Sequence, residues 1–172
     1  MTPPLRLGFV GTGYIAGMVA ASLRETESVV VAGVASRNMS RAVAFAEANA
    51  LGAQARPFDD WRALVAWEGI DALYIATPTT ARTEIAVAAA NAGKHVLAEK
   101  PFTSSAAHAA IVEACRANGV AFLDATHFVH HPRHLLLRRT LQERIGTLLA
   151  LNATFTFPSM DRSNTSYSRP RA

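Results

Sequence analysis

Four short stretches of this chain carry residue types that can hold an anion or move a proton. The first is Gly11-Thr-Gly13-Tyr-Ile-Ala16, which follows directly on the apolar run Leu5 to Val10. A pyrophosphate site asks for these types. Gly11 permits a tight turn out of a strand, Gly13 lacks a Cβ so that backbone can approach the phosphates, and Ala16 lets a helix lie close to a sheet. The helix that begins here aims free N–H groups and a partial positive charge at the same place. Gly11, Gly13, Tyr14 and Ile15 are therefore candidate cofactor positions; a bare strand-to-helix turn has the same letters. The second stretch is Ser36-Arg37, with Arg41 one helical turn on. A site for NAD usually has an acid here to accept from the ribose 2′-hydroxyl. This chain has none, and a hydroxyl beside a planar cation suits a 2′-phosphate. NADP is thus the expected cofactor, with NAD as the alternative and a solvated loop arginine as the reading without a ligand.

The third stretch is Thr77-Pro78-Thr79-Thr80, whose hydroxyls suit a ribose or nicotinamide but equally a helix N-cap. The fourth is Glu99-Lys100-Pro101. Lys100 is one of only two lysines in the chain, and a lysine beside a nicotinamide can donate a proton or orient a substrate hydroxyl. On an open surface the same pair would be plain surface charge.

Chemistry at these four places requires elements that bring them together. The apolar periodicity alternates between strand and helix. Strands are expected at Leu5–Val10, Ser28–Ala35, Gln54–Arg56, Asp71–Thr77, His95–Ala98 and Val120–Ala125. Helices are expected at Tyr14–Glu25, Asn38–Ala50, from Asp59 as N-cap through Trp67, Ala81–Ala92 and Ser104–Asn118. Continuous apolar strands separated by helices predict an α/β fold, a doubly wound parallel Rossmann sheet covered on both faces. Strand ends in such a sheet face one crevice, so all four stretches would line it.

Beyond Thr126 the pattern changes. His127–Arg133 reads as a linker, and Pro132 can open a helix that runs Leu135–Ile145. Thr147–Phe157 alternates as one long strand with no partner in the chain. The expected organisation is a cofactor-binding domain over 1–125, the start of an α+β domain over 126–157 and a Ser/Arg/Pro-rich, disordered tail over 158–172.

The four stretches taken together, in the order FVGTGYIA, then GVASRN, then ATPTT, then AGKHVLAEKPF, resemble the Gfo/Idh/MocA oxidoreductase family. The resemblance runs from about Leu5 to Phe157 and includes FLDATHFVHHPR, similar to that family's entry into its second domain. It implies an NAD(P)-binding Rossmann domain and hydride exchange with a sugar, polyol or related hydroxyl carbon, with Lys100 in the catalytic group. Where relatives often carry a histidine at the helix start after the Thr-Pro turn, this chain has Arg82. The resemblance also implies a large second-domain sheet that completes the site and often makes a dimer contact. Only its first strand is expected here, so association would run through that strand and the chain would bind a dinucleotide without turning over alone, as a truncated or frame-interrupted oxidoreductase. A non-catalytic nucleotide-binding or regulatory module is the alternative.

Composition excludes other classes. The chain of 172 residues is half hydrophobic, which is globular rather than disordered. No apolar run approaches the ~20 residues of a membrane span, and MTPPLRLGFV lacks the marks of a signal peptide, so a cytoplasmic protein with no membrane partner is expected. The net charge of +4 is uneven. Residues 1–132 carry ten Lys/Arg against eleven Asp/Glu, whereas 133–172 carry seven Arg against two acids. Those arginines match no nucleic-acid motif, and no nucleic-acid partner is expected. Cys115, the single cysteine, is expected in the core. His127, His130, His131 and His134 have helical spacing, but Pro132 interrupts them and no acid or cysteine completes a zinc pattern; packing histidines and no metal are expected.

Overall fold

The computed structural model describes residues 3–53 and 55–154. Its contacts divide the chain into two compact units, Met1–His127 and a second from Phe128 onward. In the first, the expected alternation is present: β1 (Leu5–Val10), α1 (Tyr14–Leu23), β2 (Val29–Ala35), α2 (Met39–Ala48), β3 (Arg56–Phe58), α3 (Trp61–Ala66), β4 (Ala72–Ile75), α4 (Thr79–Asn91), β5 (His95–Ala98), α5 (Ser105–Ala117) and β6 (Phe122–Asp124). All strand pairs are parallel and lie in the order β3-β2-β1-β4-β5-β6. The order reverses between β1 and β4, the switch point at which a doubly wound sheet opens its crevice.

Side chains alternate across the sheet and feed two cores. Phe9, Val34 and Tyr74 pack with Ala16 and Ala20 of α1 and Ala42 and Phe45 of α2. Val10, Leu73 and Ile75 pack on the other face with Leu64 of α3, Ile85 and Ala86 of α4, and Ile111 and Cys115 of α5. The alanines explain the close seating of the helices, since a small side chain lets helix and sheet backbones approach. Cys115 lies in this core as expected, and burial pushes its thiol up.

Boundaries differ where a tertiary partner intervenes. The third strand runs Arg56–Phe58 and not Gln54–Arg56; Gln54 lies outside the described residues. Pro57 sits inside it, which an edge strand tolerates because one side needs no N–H. The N-cap of α3 is Asp60, not Asp59: its carboxylate accepts from the Arg62 N–H at 2.9 Å. The fourth strand is shorter than Asp71–Thr77, because the Asp71 carboxylate is taken up by Arg6 and chain beyond Ile75 turns into α4. The Ser104 cap of α5 accepts from the Ala107 N–H at 3.1 Å.

In the second unit, α6 (Pro132–Thr140) has its proline in the first turn and the His131 ring as its cap, accepting from the Arg133 N–H at 3.1 Å. The expected helix Leu135–Ile145 thus starts earlier and ends as α-helix at Thr140, with a π turn over Leu141–Ile145. The His134 ring packs on Phe128, centroids 5.2 Å apart. Residues 147–154 form no strand, contrary to the alternation expected over Thr147–Phe157, whose last three residues lie outside the described ones together with the tail. The physical reason is pairing: an extended segment without a neighbouring ladder leaves its N–H and C=O groups to water, and alternation alone supplies no partner.

Candidate dinucleotide site at the strand ends

Gly11 leaves β1 with φ +109°, and a Cβ built on it would stand 2.7 Å from the Ala76 carbonyl oxygen. The neighbour is backbone and cannot move aside, so the turn excludes any side chain. The Gly11 N–H continues the ladder to the Ala35 carbonyl at 3.0 Å. Gly13 is the N-cap of α1, with no side-chain cap and open space where a Cβ would project. The first-turn N–H groups of α1 therefore face an unobstructed approach. Tyr14 and Ile15 are exposed there, while Ala16 is fully buried against the sheet.

Next along the crevice, Ser36 follows β2, its N–H donating to the Phe58 carbonyl at 3.0 Å. Arg37 is exposed, and Arg41 is exposed in the first turn of α2. Asn38 caps that helix by accepting from the Ser40 N–H at 2.9 Å. Among the described residues, neither arginine is in an ion pair, and no acid occupies the first turn of α2. Two cations beside a helix N-terminus make a local field that favours an anion.

The other side of the switch point is built differently. Thr77 follows β4; its hydroxyl oxygen is buried and, among the described residues, has no hydrogen-bond partner. It does not cap α4, whose N-cap is Pro78 with no side-chain bond. Glu99 follows β5 and is only 6% exposed, accepting from the Tyr74 hydroxyl at 2.9 Å. Burial first, and then the charge of Glu99, push the Tyr74 phenol well above its ordinary range. Lys100 is exposed beside it, joined to Pro101 by a cis peptide bond.

Arg82 belongs to this group, though the sequence reading gave it no role. Its Nε donates to the Thr77 carbonyl at 3.0 Å and a terminal N–H to the Pro101 carbonyl at 2.6 Å. Burial lowers its guanidinium from the ordinary range, and the charge of Glu99 opposes that shift. A signal was available. The buried face of α4 reads 82, 85, 86, 89, 90, a helical stripe whose first member is charged. A buried guanidinium has to find acceptors nearby.

The residues fit a dinucleotide. Open space over Gly13 suits a pyrophosphate, the free arginines suit a further phosphate, and the orphaned Thr77 hydroxyl lacks the partner that a ribose or amide would supply. Fold and site together define a Rossmann-type dinucleotide-binding domain. Comparison with known proteins narrows the class. The sequence model described as "Oxidoreductase family, NAD-binding Rossmann fold" matches residues 5–125, and the chain belongs to this Gfo/Idh/MocA oxidoreductase family. The chain is 33% identical over 167 residues to dTDP-3,4-didehydro-2,6-dideoxy-alpha-D-glucose 3-reductase of Actinomadura kijaniata, covering 95% of this chain and 49% of that protein. It is 34% identical to scyllo-inositol 2-dehydrogenase (NADP(+)) of Bacillus subtilis, covering 88% of this chain and 45% of that one. A crystal structure of a 3-ketoreductase from Actinomadura kijaniata in complex with NADP and TDP-benzene has the same fold, with a TM-score of 0.74 at 31% identity over 81% of this chain and 42% of that chain. The chain thus spans about half the length of the curated relatives it matches.

Among the described residues, no helix is long and apolar enough to cross a membrane, and no three His, Cys, Asp or Glu side chains stand together as metal ligands would.

Proposed function

We propose that this chain binds NADP and takes part in oxidoreduction at a hydroxyl or keto carbon of a sugar or polyol. The observation that carries the cofactor half is the end of β2, where Ser36 and Arg37 stand in place of a carboxylate and Arg41 adds a second free cation. The substrate half is supported by relatives named as sugar 3-reductases and an inositol dehydrogenase, one of them named for NADP(+).

In this reading Gly11, Gly13, Tyr14 and Ile15 present backbone to the pyrophosphate. Ser36, Arg37 and Arg41 hold the 2′-phosphate by charge-assisted hydrogen bonds. Thr77 and Pro78 shape the ribose and nicotinamide end, with Glu99 as the buried carboxylate beneath it. Bound there, the nicotinamide supplies or takes up a hydride. Lys100 is the proposed catalytic residue: its Nζ holds the substrate oxygen and passes a proton to or from it. Its exposure leaves it free to meet a substrate, and Glu99 at its side is positioned by Tyr74.

Calorimetric titration of the purified chain with NADP+ and NAD+ tests the reading. Tighter binding of NADP+ is expected. Equal or tighter binding of NAD+ would reject the assignment of Ser36 and Arg37.

A further inference from the structure

Arg82 is the fourth residue of α4, at the head of its buried stripe, and only 8% exposed. Its two hydrogen bonds go to different loops. The Thr77 carbonyl belongs to the turn that leaves β4, and the Pro101 carbonyl to the turn that leaves β5. Past Ile75 and Glu99, the only hydrogen bonds among the described residues that join these two turns run through Arg82. One turn carries the orphaned Thr77 hydroxyl and the other carries Lys100.

A guanidinium suits the task. It is planar, stays charged, and offers donors in a fixed fork, so it can reach two separate carbonyls in one geometry. An ammonium is a point charge, and a neutral imidazole has a single N–H to donate.

We propose that Arg82 is a positioning residue that locks the Lys100 turn to the Thr77 turn and so sets where the Lys100 ammonium stands. The proposal rests on the cofactor reading above for its purpose, but its geometry is independent of it.

The test uses the fact that Lys94 and Lys100 are the only lysines. Reductive methylation with isotope-labelled formaldehyde gives each a methyl signal in NMR. Lys94, whose Nζ donates to the Ile70 carbonyl before β4, is the internal control. In the native chain NADP+ is expected to shift the Lys100 signal and leave Lys94 in place. In Arg82→Gln the Lys100 signal should change in the cofactor-free protein and lose its response to NADP+. NADP+ affinity should fall by no more than about threefold, because the phosphate contacts are charge-assisted and lie at the ends of β1 and β2. Lys94 should not move. Arg82→His, which can keep one tie but not both, carries the same comparison if the glutamine variant does not fold. A native-like Lys100 signal with a native-size response in either folded variant overturns the proposal. A native chain that ignores NADP+ overturns the cofactor reading instead, and the cofactor-free Lys100 signal then decides on Arg82 alone.

Discussion

The two sides of the switch point handle charge in opposite ways. At the ends of β1 and β2 the polar groups are exposed or unobstructed: free amides over Gly13, and Arg37 and Arg41 without ion partners among the described residues. At the ends of β4 and β5, Lys100 apart, they are buried, and all but one are tied: Tyr74 on Glu99 and Arg82 on two carbonyls, with the Thr77 hydroxyl unpartnered among the described residues. The first side is suited to capturing a highly charged group from water, where solvent screens each contact and the ion supplies the missing partner. The second is suited to holding groups in fixed geometry, because a buried polar network is strong only when its members are satisfied. One half of the crevice should therefore show its mutational effects in binding, and the other in stability.

The largest effect should come from the buried half. Arg82→Met removes a charged donor from both the Thr77 and the Pro101 carbonyl and is expected to destabilise the fold by about 3–5 kcal/mol in denaturant unfolding. Adding Glu99→Gln should recover little of that loss; a large recovery would mean that the arginine acts chiefly through the Glu99 charge. On the open half, Arg37→Ala should weaken NADP+ binding by about 1.5–3 kcal/mol and NAD+ hardly at all. It should also flatten the salt dependence of NADP+ binding and leave unfolding unchanged, and a large loss of stability would erase the contrast between the halves.

Tyr74→Phe should cost about 1.5 kcal/mol near neutrality by removing a donor from a buried carboxylate. It should also change the alkaline limb. The folded phenol titrates above the unfolded one, so its contribution is complete below about pH 10 and is lost as pH rises through the folded value. The wild-type decline above that pH should be steeper than the variant's, as read by unfolding at a series of alkaline pH values. The smallest effect belongs at the opposite, amino end of the strands. Hydrogen bonds from the Arg6 guanidinium hold the Asp71 carboxyl below the usual carboxylate range. That contribution is present above the unfolded carboxyl's value of about 4 and is lost as pH falls. Both side chains are substantially exposed, so Asp71→Asn should flatten the acid limb slightly and lose even that in high salt.

How much of this was legible beforehand depends on range. The β-α alternation and the parallel sheet followed from apolar runs such as Val29–Ala35 and Ala72–Ile75, whose burial on both faces leaves no polar alternation. Gly11 was legible because a φ of +109° in the turn out of β1 is a conformation that glycine alone adopts readily, whereas its close approach to the Ala76 carbonyl was not. Alternation over 147–154 pointed to a strand that is not there, since a local pattern states which face would be buried but not whether a neighbour exists.

The amino-acid sequence by itself determined the class of fold and which glycines and cations stand at the strand ends. Those rest on periodicity and on backbone conformations set at single residues, such as the positive φ of Gly11. Only the tertiary structure decided that Arg82 is buried, that Thr77 keeps an unused hydroxyl instead of capping α4, and that Glu99 is bonded by Tyr74. Each of these depends on which carbonyls and side chains distant turns bring within hydrogen-bond reach. Burial makes that choice costly to get wrong, and no local pattern encodes it.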